Sequence, residues 1–298
     1  MRIGIIGAGK VGFTIGKYFS THGLTVTGYY SRRAASSEEA ARFTGSRNFS
    51  DMNELVRESD VLFLTVPDGS ITAVYREMDP ALIRGKYIGH MSGSLSSEDA
   101  FPKVKETGAS AFSVHPLFAV SDRYHAYERL PDVFFAVEGD EEALQVVVPM
   151  LEGIGLHLQE ISPASKARYH LAAAAASNLV NALLLMSIQL LTECGFSEEG
   201  ARAALAPLAE GNLQHVMGHG VVDSLTGPVE RADAETIQKH LACLSGARRQ
   251  IYCLLSEMLV PAAREKNPER DYSSIINLLR RAETTPAEQC STERMDEE

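Results

Sequence analysis

With 298 residues the chain is long enough for about two domains, each able to bury a core. Lys and Arg total 28 against 39 Asp and Glu, a net charge of −11, which argues against nucleic acid or an anionic membrane as the main partner but allows a local basic pocket. The four cysteines (Cys194, Cys243, Cys253, Cys290) have no C-x-x-C spacing and no histidine at metal-ligand distance, so a reduced, cytoplasmic protein without a metal site is expected.

Arg2 to Ile6 has the apolar pattern of a buried strand. It runs into Gly7-Ala8-Gly9-Lys10-Val11-Gly12, a G-x-G-x-x-G spacing, and then into the amphipathic stretch Phe13 to His22. In such a strand–turn–helix unit the first glycine makes the turn, the second lets a pyrophosphate approach, and the third lets helix and strand pack closely. The helix N-terminus supplies free N–H groups to the phosphates. A second strand, Leu24 to Tyr30, ends at Ser31-Arg32-Arg33, where an NAD site would carry an acid facing the ribose. Ser31 and Arg32 suit a 2′-phosphate instead, so NADP(H) is favoured; solvated loop charges are the alternative.

Apolar strands and amphipathic segments continue to alternate. A short segment is expected at Arg47 to Phe49 and strands at Asp60 to Val66, Lys86 to Met91 and Ser110 to His115, with edge strands at Asp132 to Glu138 and Leu156 to Gln159. The pattern predicts an α/β fold with a doubly wound, mostly parallel Rossmann sheet over residues 1–162. Ligands bind beyond the carboxyl ends of such strands. Three loops there carry polar groups: Val66-Pro67-Asp68, Ser92-Gly93-Ser94 and His115-Pro116. Ser92 and Ser94 could contact substrate or cap the next helix, for which Ser96 or Ser97 is the better cap; His115 could be catalytic or a satisfied buried histidine.

From residue 163 the pattern becomes helical: Ala164 to Cys194, Ser197 to Met217, Ala234 to Val260 and Asp271 to Ala282. This predicts an all-α second domain over 163–282, followed by a disordered acidic tail, 283–298. Leu171 to Leu191 has no charge and could span a bilayer by length. Its alanines, Ser177, Asn178, Asn181, Ser187 and Gln189 favour a helix buried in a soluble domain. On an ideal helix of about 100° per residue, Lys166, His170, Ser177 and Asn181 fall within about 60° of one stripe. Lys166 and His170, one turn apart in a desolvated cleft, would lower each other's pKa and suit proton donation during hydride transfer. Otherwise Lys166 pairs with an acid such as Glu160. Arg231, in Thr226-Gly227-Pro228-Val229-Glu230-Arg231-Ala232-Asp233, could clamp a carboxylate or pair with Asp233 or Glu230.

Together, Gly7-x-Gly9-x-x-Gly12, Val66-Pro67-Asp68, His90-x-Ser92-Gly93-Ser94, Ser113-x-His115-Pro116, Lys166-x-x-x-His170, Ser177-Asn178 and Thr226-Gly227-Pro228-x-x-Arg231-x-Asp233 resemble the Rossmann-like NADP oxidoreductases with a helical DUF2520-type domain. That group is similar to pyrroline-5-carboxylate reductases, F420-dependent NADP reductases and ketopantoate reductase-like proteins. The resemblance implies an NADPH-dependent reductase of a small carboxylated ketone or imine, such as a 2-dehydropantoate-like 2-oxo acid, acting as a cytoplasmic homodimer joined through the helical domain. Lys166, His170, Ser92 and His115 would be catalytic. Gly7, Gly9, Lys10, Val11, Gly12, Ser31, Arg32, Val66, Pro67 and Asp68 would hold NADP(H), and Ser94, Asn178, Asn181 and Arg231 the substrate. A β-hydroxyacid dehydrogenase likeness is implied too, with His170 at its asparagine position and Ser94 in place of a glycine; Ala232 stands where the DUF2520 group has glycine. A non-catalytic NADP(H) sensor and F420-type hydride exchange are the alternatives.

Overall fold

The computed structural model describes residues 1–284. The first half runs β1 (Arg2–Ile6), α1 (Lys10–Thr21), β2 (Thr25–Tyr30), α2 (Ala34–Thr44), β3 (Arg47–Asn48), α3 (Met52–Glu58), β4 (Val61–Leu64), α4 (Asp68–Arg76), α5 (Pro80–Ile83), β5 (Tyr87–His90), α6 (Ser97–Ala100), α7 (Val104–Thr107) and β6 (Ser110–Pro116). It continues with β7 (Phe134–Gly139), α8 (Glu141–Glu152), β8 (His157–Glu160) and α9 (Lys166–Ala174). The strands form one sheet in the order β3-β2-β1-β4-β5-β6-β7-β8. Only the β6–β7 pair is antiparallel. The chain reverses direction across the sheet between β1 and β4, the crevice where doubly wound folds take their ligands.

Burial explains the order. The four residues of β4, Val61, Leu62, Phe63 and Leu64, are fully buried, as expected for a parallel strand covered on both faces. Phe13, Tyr18 and Phe19 of α1 pack with Phe63 and Phe112 on one face, while Leu55, Ile71, Ile88 and Phe101 fill the other. Side-chain caps start the connecting helices: Asp51 accepts from Asn53 N at 3.0 Å, and Ser96, rather than Ser97, accepts from Asp99 N at 3.1 Å.

The chain divides into two compact units between Asn178 and Leu179, later than the 162/163 boundary expected from the change of pattern. The reason is packing: α9 is helical in sequence, yet its Lys166 and Tyr169 bond to groups of the sheet and belong with it. The expected long helix also does not run straight through. A π turn, Ala175–Leu179, separates α9 from α10 (Val180–Glu193). Its wider turn departs from the regular rotation of about 100° per residue on which a single stripe from Lys166 to Asn181 depends.

The second unit continues with α11 (Glu198–Ser224), α12 (Ala234–Ala242), α13 (Gly246–Lys266) and α14 (Ser273–Thr284). Gly220, at φ +84°, breaks α11 near its end. Ile237, Leu241, Cys253, Val260, Tyr272 and Leu279 make its core. The stretch Pro163–Glu193 is long and apolar enough to cross a bilayer by length and composition. It is not the buried helix expected: its most apolar window has no buried residue, and Leu171, Leu179 and Leu185 are each more than half exposed. Among the described residues, too few apolar side chains cover these leucines. The acidic tail falls almost entirely outside the described residues.

Candidate active site

The glycine turn lies at the crevice between β1 and β4. Gly7 N donates to Tyr30 O at 2.8 Å, and Thr65 Oγ1 donates to Gly7 O at 2.8 Å, tying the turn to both neighbouring strands. Gly7 has φ +110°, and a Cβ there would meet the Thr65 backbone at 2.8 Å; at Gly12 it would meet Gly7 O at 2.5 Å. Both glycines are therefore required by the fold. Gly9 is different. A Cβ on Gly9 would meet nothing within 4 Å, and its backbone, φ −86° and ψ −173°, is open to any residue. The protein's own packing does not need glycine there, whereas a phosphate approaching the N-terminus of α1 does. The residues present thus fit a dinucleotide.

Beside the turn is a cavity of about 320 Å³ whose lining includes Gly7, Gly9, Ser31, Arg32, Val66 and Pro67. Arg33 lines it as well, and neither arginine has an ion-pair partner among the described residues. Lys10 and Val11 open α1 without lining this cavity.

A second group of residues gathers at the ends of β4, β5 and β6. Asp68, in the first turn of α4, accepts a hydrogen bond from Ser92 Oγ at 2.6 Å, with Ser94 Oγ more distant at 3.5 Å. Asp68 thus faces the Ser92-Gly93-Ser94 loop and does not line the cavity. Ser92 N donates to His90 Nδ1 at 3.1 Å, and Leu95 N donates to Ser92 Oγ. Burial, then the nearby Lys166 charge, pulls His90 down to about 3, so it is a neutral acceptor holding the loop. Gly93 sits against two imidazoles: a Cβ on it would lie 2.7 Å from His170 Cδ2 and 2.8 Å from His115 Nε2. The His115 and His170 ring centroids are 6.4 Å apart.

Lys166 is 2% exposed. Its Nζ donates to Ser92 O at 2.7 Å and Ser113 Oγ at 2.8 Å, and lies 4.0 Å from Glu138 Oε1. Antiparallel pairing sets Glu138 opposite Ser113, and the Glu138 carboxylate accepts from Ser113 Oγ, Ser97 Oγ and Ser97 N. Its partner is therefore Glu138 on β7 rather than Glu160. Burial lowers Lys166 to about 8, opposed by Glu138 and Asp68. The expected mutual repulsion with His170 is not what lowers Lys166, because His170 is exposed while the ammonium is turned into the sheet.

Ser92, Ser94, Asp68, His115 and His170 are thus brought together, and Lys166 lies beneath them. Ser177 and Asn178 are exposed in the π turn and bond to each other. Asn181 and Arg231 belong to the second unit. Arg231 is 57% exposed and 4.0 Å from Asp233, which caps α12 through Thr236 N and Oγ1. Glu138 and Tyr169 were missed. The signal for Glu138 was a single acid in an otherwise apolar strand, Phe-Phe-Ala-Val-Glu-Gly; Tyr169 had none beyond its place between Lys166 and His170.

The fold and the crevice define a Rossmann-like dinucleotide site built on a sheet that continues into helices. Residues 1–116 match the Rossmann-like domain, and residues 133–259 match the domain of unknown function DUF2520. The chain is 31% identical over 153 residues to the Bacillus subtilis (strain 168) protein YqeC, which bears a provisional 6-phosphogluconate dehydrogenase name, and spans about half the length of that relative. Among solved structures, protein TM1727 from Thermotoga maritima is 26% identical with a TM-score of 0.65, covering 94% of this chain and 98% of its own. The fold is shared with a reductive aminase from Aspergillus terreus in complex with NADPH4, cyclohexanone and allyl amine (17% identity, TM-score 0.63, 93% of this chain and 98% of that one). A Bacteroides fragilis protein provisionally titled an NADP oxidoreductase, BF3122, shares it too (19% identity, TM-score 0.66, 87% and 98%).

Proposed function

We propose that the chain is an NADPH-dependent oxidoreductase that reduces a small ketone or imine. The carrying observation is the space at Gly9, which the fold leaves open beside a cavity lined by Ser31 and Arg32. Gly7, Gly9 and the N-terminus of α1 would hold the pyrophosphate, and Ser31 and Arg32 the 2′-phosphate. When bound, NADPH supplies the hydride. The loops after β4, β5 and β6 follow in the same unit, and Ser92, Ser94, His115 and His170 would orient the molecule reduced. Lys166 is better suited to holding the loop, through Ser92 O, than to donating a proton, since two of its three hydrogens already go to Ser92 O and Ser113 Oγ.

Within this reading, a 2-oxo acid such as 2-dehydropantoate remains the substrate favoured by the sequence resemblance. Titration with NADPH and NADH, followed by NADPH oxidation against 2-dehydropantoate, pyrroline-5-carboxylate, short keto acids and cyclic imines, tests it. Tighter binding of NADPH and turnover of one of the panel is expected; equal, weak binding of both cofactors would overturn it. Removing Arg32 as alanine should weaken NADPH about 10- to 100-fold, the worth of a charge-assisted phosphate contact, and leave NADH unchanged.

We further propose a homodimer in the cytoplasm. Leu208, Met217 and Met258 are each at least 70% exposed, a surface that a second copy would cover. Cys194 and Cys243 are free thiols, consistent with a reducing compartment. Sedimentation at micromolar concentration tests the dimer, and a single-chain mass would refute it.

A further inference from the structure

Tyr169 has no part in the reaction as proposed, yet it is bonded to the one ring that faces Gly93 from the sheet. Its hydroxyl lies 3.2 Å from His115 O and 2.9 Å from His115 Nδ1. A carbonyl oxygen can only accept, so the arrangement that satisfies both contacts sends the single phenolic hydrogen to His115 O and has the phenolic oxygen accept from a hydrogen on Nδ1. Burial raises Tyr169 to about 12, which keeps that hydrogen in place. Burial, with the Lys166 and His170 charges, pulls His115 down to about 4, so the ring is neutral near pH 7 and has one N–H to place. With it on Nδ1, the other nitrogen carries a bare lone pair. No hydrogen-bond partner for His115 Nε2 is found among the described residues, and the nitrogen lies beside Gly93 because that residue has no side chain.

We propose that Tyr169 is a positioning residue that holds His115 as its Nδ1–H form, so that Nε2 accepts a hydrogen bond from an N–H or O–H group of the molecule bound at the Ser92-Gly93-Ser94 loop. This rests on the reading of that loop as the place of reduction. Asp68, which already accepts from Ser92, is a second acceptor on the same loop. Two acceptors favour a partner that brings its own hydrogens, a protonated imine, an amine or an alcohol, over a bare carbonyl or a carboxylate.

The ring nitrogens of isotope-labelled protein report the tautomer by long-range proton–nitrogen NMR with no substrate present, the His115 signals being those lost in His115→Gln. The wild type is expected to show hydrogen on Nδ1 and none on Nε2 at neutral pH. Tyr169→Phe keeps the ring and loses the hydroxyl, and should move population to the Nε2–H form. With 1-pyrroline and cyclohexanone as probes, kcat/KM of Tyr169→Phe should fall on the order of 10- to 100-fold for the imine, which brings an N–H when protonated, and less for the ketone, which brings none. Its NADPH affinity should stay within about twofold, since the change is remote from the phosphate cradle. A wild-type His115 carrying hydrogen on Nε2 overturns the proposal, as does a Tyr169→Phe protein with unchanged tautomer. Failure of the wild type to bind NADPH or to reduce either probe counts against the proposed reaction instead, and the NMR measurement still decides what Tyr169 does.

Discussion

Replacing Gly9 with alanine adds one methyl group at a point where the protein has no atom within 4 Å. The backbone there is extended and already within alanine's range, so no strain is introduced. Two small effects on stability oppose each other: alanine reduces the freedom of the unfolded chain, and it is a poorer start to a helix than glycine. They leave a net change within about 0.5 kcal/mol. A bound pyrophosphate would feel the methyl directly. Crowding a close-packed contact by one carbon costs about 1–3 kcal/mol, which is roughly a 5- to 150-fold loss of affinity. Gly12→Ala is the contrast, because its Cβ would sit 2.5 Å from Gly7 O and 2.6 Å from Thr65 Oγ1. It should lower the melting temperature by several degrees, about 2–4 °C per kcal/mol for a unit of this size. Thermal melts without cofactor and fluorescence titration with NADPH separate the two. A Gly9→Ala protein that binds NADPH as tightly as the wild type, or that melts well below it, would refute the assignment of that open space to the cofactor.

Lys166→Met should destabilise the first unit by about 3–5 kcal/mol, because it strands the buried Glu138 carboxylate, and adding Glu138→Gln should recover part of the loss; urea unfolding measures both. The pH dependence has a definite sign. Burial lowers Lys166 from its ordinary 10.5 to about 8, so between those values the unfolded chain binds more protons than the folded one. The wild type should therefore gain stability relative to Lys166→Met as pH rises through that window, with no such slope below it, where lysine is protonated in both states. Ala232 has φ +56°, a left-handed conformation that costs an alanine about 1–2 kcal/mol. After allowing for the looser unfolded chain, Ala232→Gly should stabilise the protein by about 0.5–1 kcal/mol, and a melt no higher than the wild type's would count against that strain.

The glycine turn, the alternation of strands and helices, and the loops at Pro67, Ser92 and His115 were legible in the sequence because each depends on residues close together in the chain. Strand periodicity, a positive φ and a helix start are local properties, and they placed the Rossmann sheet and its glycine turn. The position of Lys166 was not local. Its ammonium is held by Ser113 on β6 and Glu138 on β7, and that pairing exists only because β7 runs antiparallel to β6 in one particular register. The π turn at Ala175–Leu179 likewise breaks the regular rotation on which the stripe from Lys166 to Asn181 depended. Sequence alone therefore determined where a phosphate can approach the backbone. Only the folded sheet decided which charged side chain is sealed beneath the loop and which imidazoles are left facing it, because burial and hydrogen-bond partners come from strands far apart in the chain.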